Sequence, residues 1–170
     1  MTPVLYRSTY SSPIGNLLLT ATENALTEVR FSNEEATRCP LNVDLSVFRR
    51  AFTWLETYFK GDDPGTPPPL HLRGTPFRLL VWQILQEIPY HHTVTYKNIA
   101  EKVCIRTGKQ QMSAQAVGNA VGHNPVCIFI PCHRVVGTNG NLTGYAGGLN
   151  RKIFLLKTEH IDTSDFFLPG

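Results

Sequence analysis

Residues Asp62-Asp63-Pro64-Gly65-Thr66-Pro67-Pro68-Pro69 form a tract that can sit inside neither a helix nor a sheet. Proline lacks a backbone donor and fixes φ, and glycine favours turns, so the tract marks a boundary. The patterning differs on its two sides. Before it, short apolar stretches (Ile14, Leu17 to Leu19, Val29 to Phe31) are punctuated by Ser11-Ser12-Pro13, Gly15-Asn16 and Glu23-Asn24, which is the pattern of strands joined by tight turns. Phe48, Ala51, Phe52, Leu55, Tyr58 and Phe59 then recur at helical spacing until Gly61. The expectation is an α+β chain: a small α+β domain over residues 1–72, followed by a mostly helical domain over 73–170.

In the second part, Thr75 is placed to cap a helix with Pro76 at its first position, and Phe77, Leu80, Val81, Ile84, Leu85 and Ile88 form its apolar face before Pro89. Thr95 is placed to cap a second helix carrying Tyr96, Ile99, Ala100 and Val103. Ser113 is placed to cap a third, over residues 114–122. Two short helices joined by a loop suggest a helix-turn-helix, although this loop is long for that motif. The third helix carries Ala114, Ala116, Gly118, Ala120 and Gly122, which leave its backbone open to close approach. Either a neighbouring helix packs there or a nucleic-acid groove does.

Charge divides at the same boundary. Residues 1–72 hold six Lys/Arg against eight Asp/Glu, net −2, whereas residues 73–170 hold ten against five, net +5. An anionic partner would bind the second part, unless the asymmetry is an ordinary solvated surface. No apolar run approaches the roughly 20 residues of a membrane helix, and the first ten residues lack a signal peptide's basic start and apolar core. The expected setting is the cytoplasm, or the nucleus of a eukaryote, with no membrane association. Four scattered cysteines, Cys39, Cys104, Cys127 and Cys132, then point to reduced thiols rather than a disulfide framework.

Three of those cysteines read as small buried hydrophobes. Cys132 differs, because Ile130-Pro131-Cys132-His133-Arg134-Val135 sets a thiol beside an imidazole and a guanidinium at the end of the apolar run Val126 to Ile130, read as a buried strand. A thiol reacts as thiolate, and neighbouring cationic or proton-accepting groups favour that form. His133 can serve as base, with Glu159, at the end of a final helix over about 149–157, as a candidate to orient it. The competing use of the same atoms is zinc, with His123, Cys127, Cys132 and His133 as ligands. Adjacent Cys132 and His133 suit a tetrahedral site poorly, and no Cys-x-x-Cys pair is present. His91-His92 reads as a polar turn. Residues 137–148 carry five glycines without the spacing of a phosphate-binding loop, and fit a pocket walled by Tyr145.

These residues resemble a known family. Asn124-Pro125, the Cys132 hexapeptide, Gly144-Tyr145-Ala146-Gly147-Gly148 and Leu155-Leu156-Lys157-Thr158-Glu159 are similar to O6-alkylguanine-DNA alkyltransferases, also called methylated-DNA–protein-cysteine methyltransferases. Gly74-Thr75-Pro76-Phe77, Val81-Trp82, Ile88-Pro89 and Val94-Thr95-Tyr96 extend the likeness upstream. Ser12-Pro13-Ile14-Gly15 and Tyr58-Phe59-Lys60-Gly61 are similar more loosely to the family's ribonuclease-H-like domain.

The resemblance implies direct DNA repair. The alkyl group on O6 of guanine in double-stranded DNA, and in some cases that on O4 of thymine, moves irreversibly to Cys132, and a monomer acts once without cofactor or metal. It implies that His133 takes the thiol proton through a water, that Glu159 orients His133, and that Asn124 buttresses the turn. Tyr96, Tyr145, Val135 and Ala146 would form the pocket. Ser113, Ala114, Gln115, Ala116, Gly118, Asn119, Gly122 and Arg134 would contact DNA, in a winged-helix-like domain. Many members have arginine where this chain has Gln115, and residues 105–112 are longer than in the shortest relatives. Two rival functions are a non-catalytic binder of alkylated DNA, in which the acceptor cysteine is typically replaced by tryptophan, and a thiol hydrolase.

Overall fold

The computed structural model describes residues 2–33 and 44–167, so Cys39 lies outside the described residues. Two compact units result: residues 1–72 with 125–127, and residues 73–124 with 128–170.

In the first unit, strands β1 (Tyr6–Ser12), β2 (Gly15–Ala21) and β3 (Leu26–Phe31) form an antiparallel sheet in the order β1-β2-β3. The β1-β2 turn is closed by Ser12 Oγ donating to the Gly15 carbonyl at 2.5 Å, and Gly15 takes φ 124°, a value side chains disfavour. The register pairs Leu19 with Val29, and Leu17, Leu19, Leu26 and Val29 are buried. Helix α1 (Ser46–Phe59) contributes buried Phe48, Ala51, Leu55 and Tyr58 at three- and four-residue spacing. Phe52 and Phe59 instead stack on Tyr10, at 5.7 and 6.4 Å between centroids.

The sheet also takes in a piece of the distant chain. Val29 N–H donates to the Pro125 carbonyl at 2.9 Å, and Cys127 N–H donates to the Val29 carbonyl at 3.0 Å, making an isolated parallel bridge at Val126. The strand expected over 126–130 is therefore not continuous. Ile128 takes φ 71° and turns the chain, because only residues 125–127 satisfy the β3 edge.

The second unit is built on capped helices. Thr75 Oγ1 accepts from Arg78 N–H at 3.2 Å to start α2 (Pro76–Leu85). Thr95 and Asn98 form a reciprocal capping box for α3 (Tyr96–Thr107), which ends on Gly108 at φ 74°. Ser113 Oγ accepts from Ala116 N–H at 3.2 Å and starts α4 (Ala114–Gly122). All three caps are the residues expected from the sequence. Trp82 of α2 donates its indole N–H to the Ala120 carbonyl at 2.9 Å, fixing α4 against the core through Val117, Ala120 and Val121. A two-residue parallel pairing of β4 (Val94–Thr95) with β5 (Val135–Val136) ties the start of α3 to the segment after Cys132. Helix α5 (Leu149–Thr158) then presents Glu159 at its end.

Candidate active site

Local backbone geometry sets Cys132. Pro131, at φ −81° and ψ 62°, is the centre of an inverse γ-turn in which Cys132 N–H donates to the Ile130 carbonyl at 2.8 Å. Residues Cys132–Arg134 follow as one turn of 3₁₀ helix. Asn124 donates its side-chain amide to that same Ile130 carbonyl at 2.8 Å, so it braces the turn. Cys132 is only 7% exposed. Burial pushes its thiol up from the ordinary value, while a hydrogen bond from Asn124 and the charge of Lys152 pull the other way. The thiol is therefore protonated at neutral pH, and thiolate has to be made where it reacts.

His133 and Glu159 are both completely buried. The imidazole Nε2 meets Glu159 Oε2 at 2.5 Å. Burial lowers the imidazole below its ordinary range, against the opposing influence of Glu159 and with help from the charges of Arg134 and Lys152. A neutral ring that donates Nε2–H to a carboxylate has Nδ1 as its basic nitrogen. That is the state of a proton acceptor. The sequence placed Glu159 as an orienter from its position after α5, and the structure brings it to His133.

Arg134 differs from expectation. It is 7% exposed, and its Nε–H donates to Glu159 Oε1 at 2.8 Å while a terminal nitrogen donates to the Ile88 carbonyl at 2.7 Å. Tyr90 lies 6.0 Å from the guanidinium, ring centre to carbon. Arg134 is thus a counter-ion inside the unit and not a surface contact for DNA. A buried carboxylate left with a neutral imidazole as its single partner would be costly, and the Arg134 cation, with His91 N–H donating to Oε1 at 3.2 Å, balances it.

Sequence reasoning missed Lys152. Its side chain is fully buried, and Nζ donates to the Val135 carbonyl at 2.6 Å and the Thr143 carbonyl at 3.1 Å. Burial lowers its pKa to about 8, and negative charge on Cys132 opposes that shift. A signal was available. Leu149, Lys152, Leu155, Leu156 and Glu159 recur three or four residues apart, so a cation lies on the inward face of an amphipathic helix.

An open cleft of about 720 Å³ is lined by Tyr96 and Lys97 of α3, Ala114, Gln115, Gly118 and Gly122 of α4, and Thr143, Gly144, Tyr145 and Ala146 of the glycine-rich loop. Tyr96 donates its hydroxyl to the Thr143 carbonyl at 3.2 Å, and burial, then charge on Cys132, raises its pKa. It remains a hydrogen-bond donor at neutral pH. Val135, expected in the pocket wall, is fully buried in β5 and does not line the cleft. Of the other α4 residues, Ser113 and Asn119 are exposed and Ala116 is half-buried.

The small residues of α4 are not explained by packing alone. A Cβ added at Gly122 would meet nothing within 4 Å, and one at Gly118 would meet only the Tyr96 ring at 3.9 Å. Of the remaining cysteines, Cys104 and Cys127 are half-buried rather than core. Among the described residues no cluster of three or more His, Cys, Asp or Glu could hold a metal ion, and no helix is long and apolar enough to cross a membrane.

A buried thiol followed by a neutral imidazole held by a carboxylate, within electrostatic reach of Tyr96 on the cleft wall, is an arrangement for attack by sulfur on a bound electrophile. Residues 76–161 match the family model described as 6-O-methylguanine DNA methyltransferase, DNA binding domain. Residues 5–66 match the ribonuclease-like domain of the same family. The chain therefore belongs to the 6-O-methylguanine DNA methyltransferase family. It is 40% identical over 158 residues to the methylated-DNA–protein-cysteine methyltransferase of Mycobacterium tuberculosis, covering 92% of this chain and 93% of that one. To the protein of that name from Methanosarcina acetivorans it is 42% identical, covering 91% and 98%. Among solved structures, Mycobacterium tuberculosis OGT in complex with DNA superposes with a TM-score of 0.78 at 42% identity, covering 91% and 92% of the two chains.

Proposed function

We propose that this protein repairs DNA directly, moving the alkyl group from O6 of guanine in double-stranded DNA onto Cys132, once per molecule. The observation that carries the reading is the buried Cys132 with His133 held by Glu159, linked to the cleft through Tyr96, a cleft residue whose hydroxyl feels charge on Cys132. His133 Nδ1 takes the Cys132 proton, relayed by a water. The Sγ–C bond forms as the C–O6 bond breaks, and the electron pair of that bond goes to O6 and the guanine ring. The ring then takes up a proton, so the proton released by sulfur is balanced. Tyr96, which keeps its hydroxyl proton, supplies hydrogen bonding to the leaving base, and Lys152 steadies the thiolate before it is consumed. A thioether is stable to hydrolysis, which accounts for a single turnover.

The target O6 is hidden in a duplex, so the nucleotide has to rotate out, at a cost of a few kcal/mol that contacts elsewhere offset. Residues 73–170 carry the net +5 that favours phosphate. Ser113, Ala114, Gln115, Ala116, Gly118, Asn119 and Gly122 would approach the groove, and Tyr96, Tyr145 and Ala146 would receive the base. The protein would act as a monomer, in the cytoplasm or a eukaryotic nucleus. The test is a count of methyl groups removed from an O6-methylguanine duplex. Removal should stop at one per protein molecule and be absent in Cys132→Ala, whose duplex binding persists. Continued turnover would make the protein a hydrolase, and binding without removal would make it a non-catalytic reader.

A further inference from the structure

Helix α2 ends at Leu85, and beyond Pro89 the chain reverses through Tyr90, His91 and His92, with His92 N–H donating to the Pro89 carbonyl at 3.2 Å. His91 sits at φ 69°, in the left-handed region that a residue with a Cβ rarely occupies. A strained non-glycine residue next to a candidate active site invites a functional reading when its contacts supply one. Here they do. The backbone N–H of His91 donates to Glu159 Oε1 at 3.2 Å, and its ring Nδ1 lies 2.7 Å from the Glu159 backbone carbonyl. A carbonyl accepts only, so Nδ1 is the protonated nitrogen of that pair. One residue therefore holds Glu159 at both its carboxylate and its main chain.

We propose that His91 is a positioning residue for alkyl transfer: by gripping Glu159 from both ends it fixes the carboxylate that orients His133. This rests on the alkyl-transfer reading above. Glu159 is the C-cap of α5, where a helix readily frays, and its own helix holds it through its backbone N–H, which donates to the Leu155 carbonyl at 3.1 Å and also faces the Lys157 carbonyl. The ring of His91 adds a tie from a different segment of the chain. Glycine would suit the backbone conformation better and keep the N–H, yet would lose the tie. Asparagine tolerates the left-handed region, and its Nδ2 is as many bonds from Cα as the imidazole Nδ1, so it can restore the tie.

The experiment compares His91→Gly and His91→Asn with the wild-type protein. Single-turnover transfer from an O6-methylguanine duplex, its pH profile, duplex affinity and Tm are measured together. His91→Gly should slow transfer by about tenfold, at the low end of losses from removing an orienting partner. Duplex affinity and Tm should stay near wild type. The titratable and charged groups facing Glu159 are His133 and Arg134 from the 3₁₀ turn and His91 itself, with Lys152 acting on His133. Of these, Glu159 raises the His133 pKa, so loosening it should move the acid limb of the profile to lower pH. His91→Asn should recover both rate and profile. A His91→Gly protein with the wild-type rate and profile, or His91→Asn as slow as His91→Gly, would overturn the assignment. Failure of the wild-type protein to demethylate the duplex would instead contradict the alkyl-transfer reading.

Discussion

The two units of this chain bury different things. In the first, the described buried residues are apolar apart from Ser8 and Thr20, whereas the second encloses His133, Arg134, Lys152 and Glu159. An apolar interior is stabilising wherever it forms, while buried ionisable groups are retained at a cost that only mutual pairing reduces. The contrast separates a part of the molecule organised for folding from one organised around a reacting thiol. It also means that the same kind of substitution should do different things in the two units.

The sharpest break in that contrast is Glu159→Gln. It should slow alkyl transfer by about ten- to a thousandfold, because His133 loses the carboxylate that fixes its tautomer. The same change leaves the Arg134 guanidinium buried with an uncharged partner, so a stability loss on the order of 3–5 kcal/mol should accompany it. Urea unfolding and single-turnover kinetics on one preparation measure both. An unchanged rate would make Glu159 structural only.

Next in size is the response to pH. His133 is held below its ordinary value, so the acid loss of activity should lie below pH 6.5, and Lys152 gives up its charge near pH 8, so transfer should fall again above that point. Stability should move the other way across the alkaline window. The folded protein binds the Lys152 proton less tightly than the unfolded chain, whose pKa is near 10.5. Between about 8 and 10.5 the unfolded state carries more protons, and this group's contribution to stability rises with pH. Transfer that keeps climbing through pH 9 would show that Lys152 charge does not assist the thiolate.

The apolar unit supplies the complementary case. Leu55 is fully buried in α1, so Leu55→Ala should cost about 2–5 kcal/mol of stability. The transfer rate per folded molecule should nevertheless stay the same. A rate that fell with stability would mean the first unit also shapes the thiol's surroundings.

The smallest effect concerns the exposed face of α4. Gln115→Arg adds a cation where Gln115 lines the cleft, and should steepen the salt dependence of duplex binding by up to about one phosphate equivalent, near 0.9 in slope. It should speed transfer from duplex more than from free O6-benzylguanine, since only the duplex requires flipping. Equal acceleration of both would place Gln115 away from DNA.

What the sequence made legible follows from range. Helix starts were readable because Thr75, Thr95 and Ser113 act within three residues of themselves. The Cys132 to Glu159 series was readable because an imidazole beside a thiol calls for a carboxylate, and a helix end offered one. Lys152 and Arg134 were missed for a shared reason: cations are expected at the surface, and only the positions of Val135, Thr143, Ile88 and Glu159 show that partners wait inside. The two-residue pairing of Val94–Thr95 with Val135–Val136 has no periodicity to detect. The transfer of Pro125 to Cys127 to the sheet of the other unit depends on a free edge at Val29, which no local pattern announces.

Peptide mass spectrometry after incubation with an O6-methylguanine duplex tests the central claim most directly. The expected result is one added methyl group on the peptide containing Cys132, at one per protein, with Cys39, Cys104 and Cys127 unmodified. A methyl group on any other residue, or guanine demethylated with Cys132 left unmodified, would contradict it.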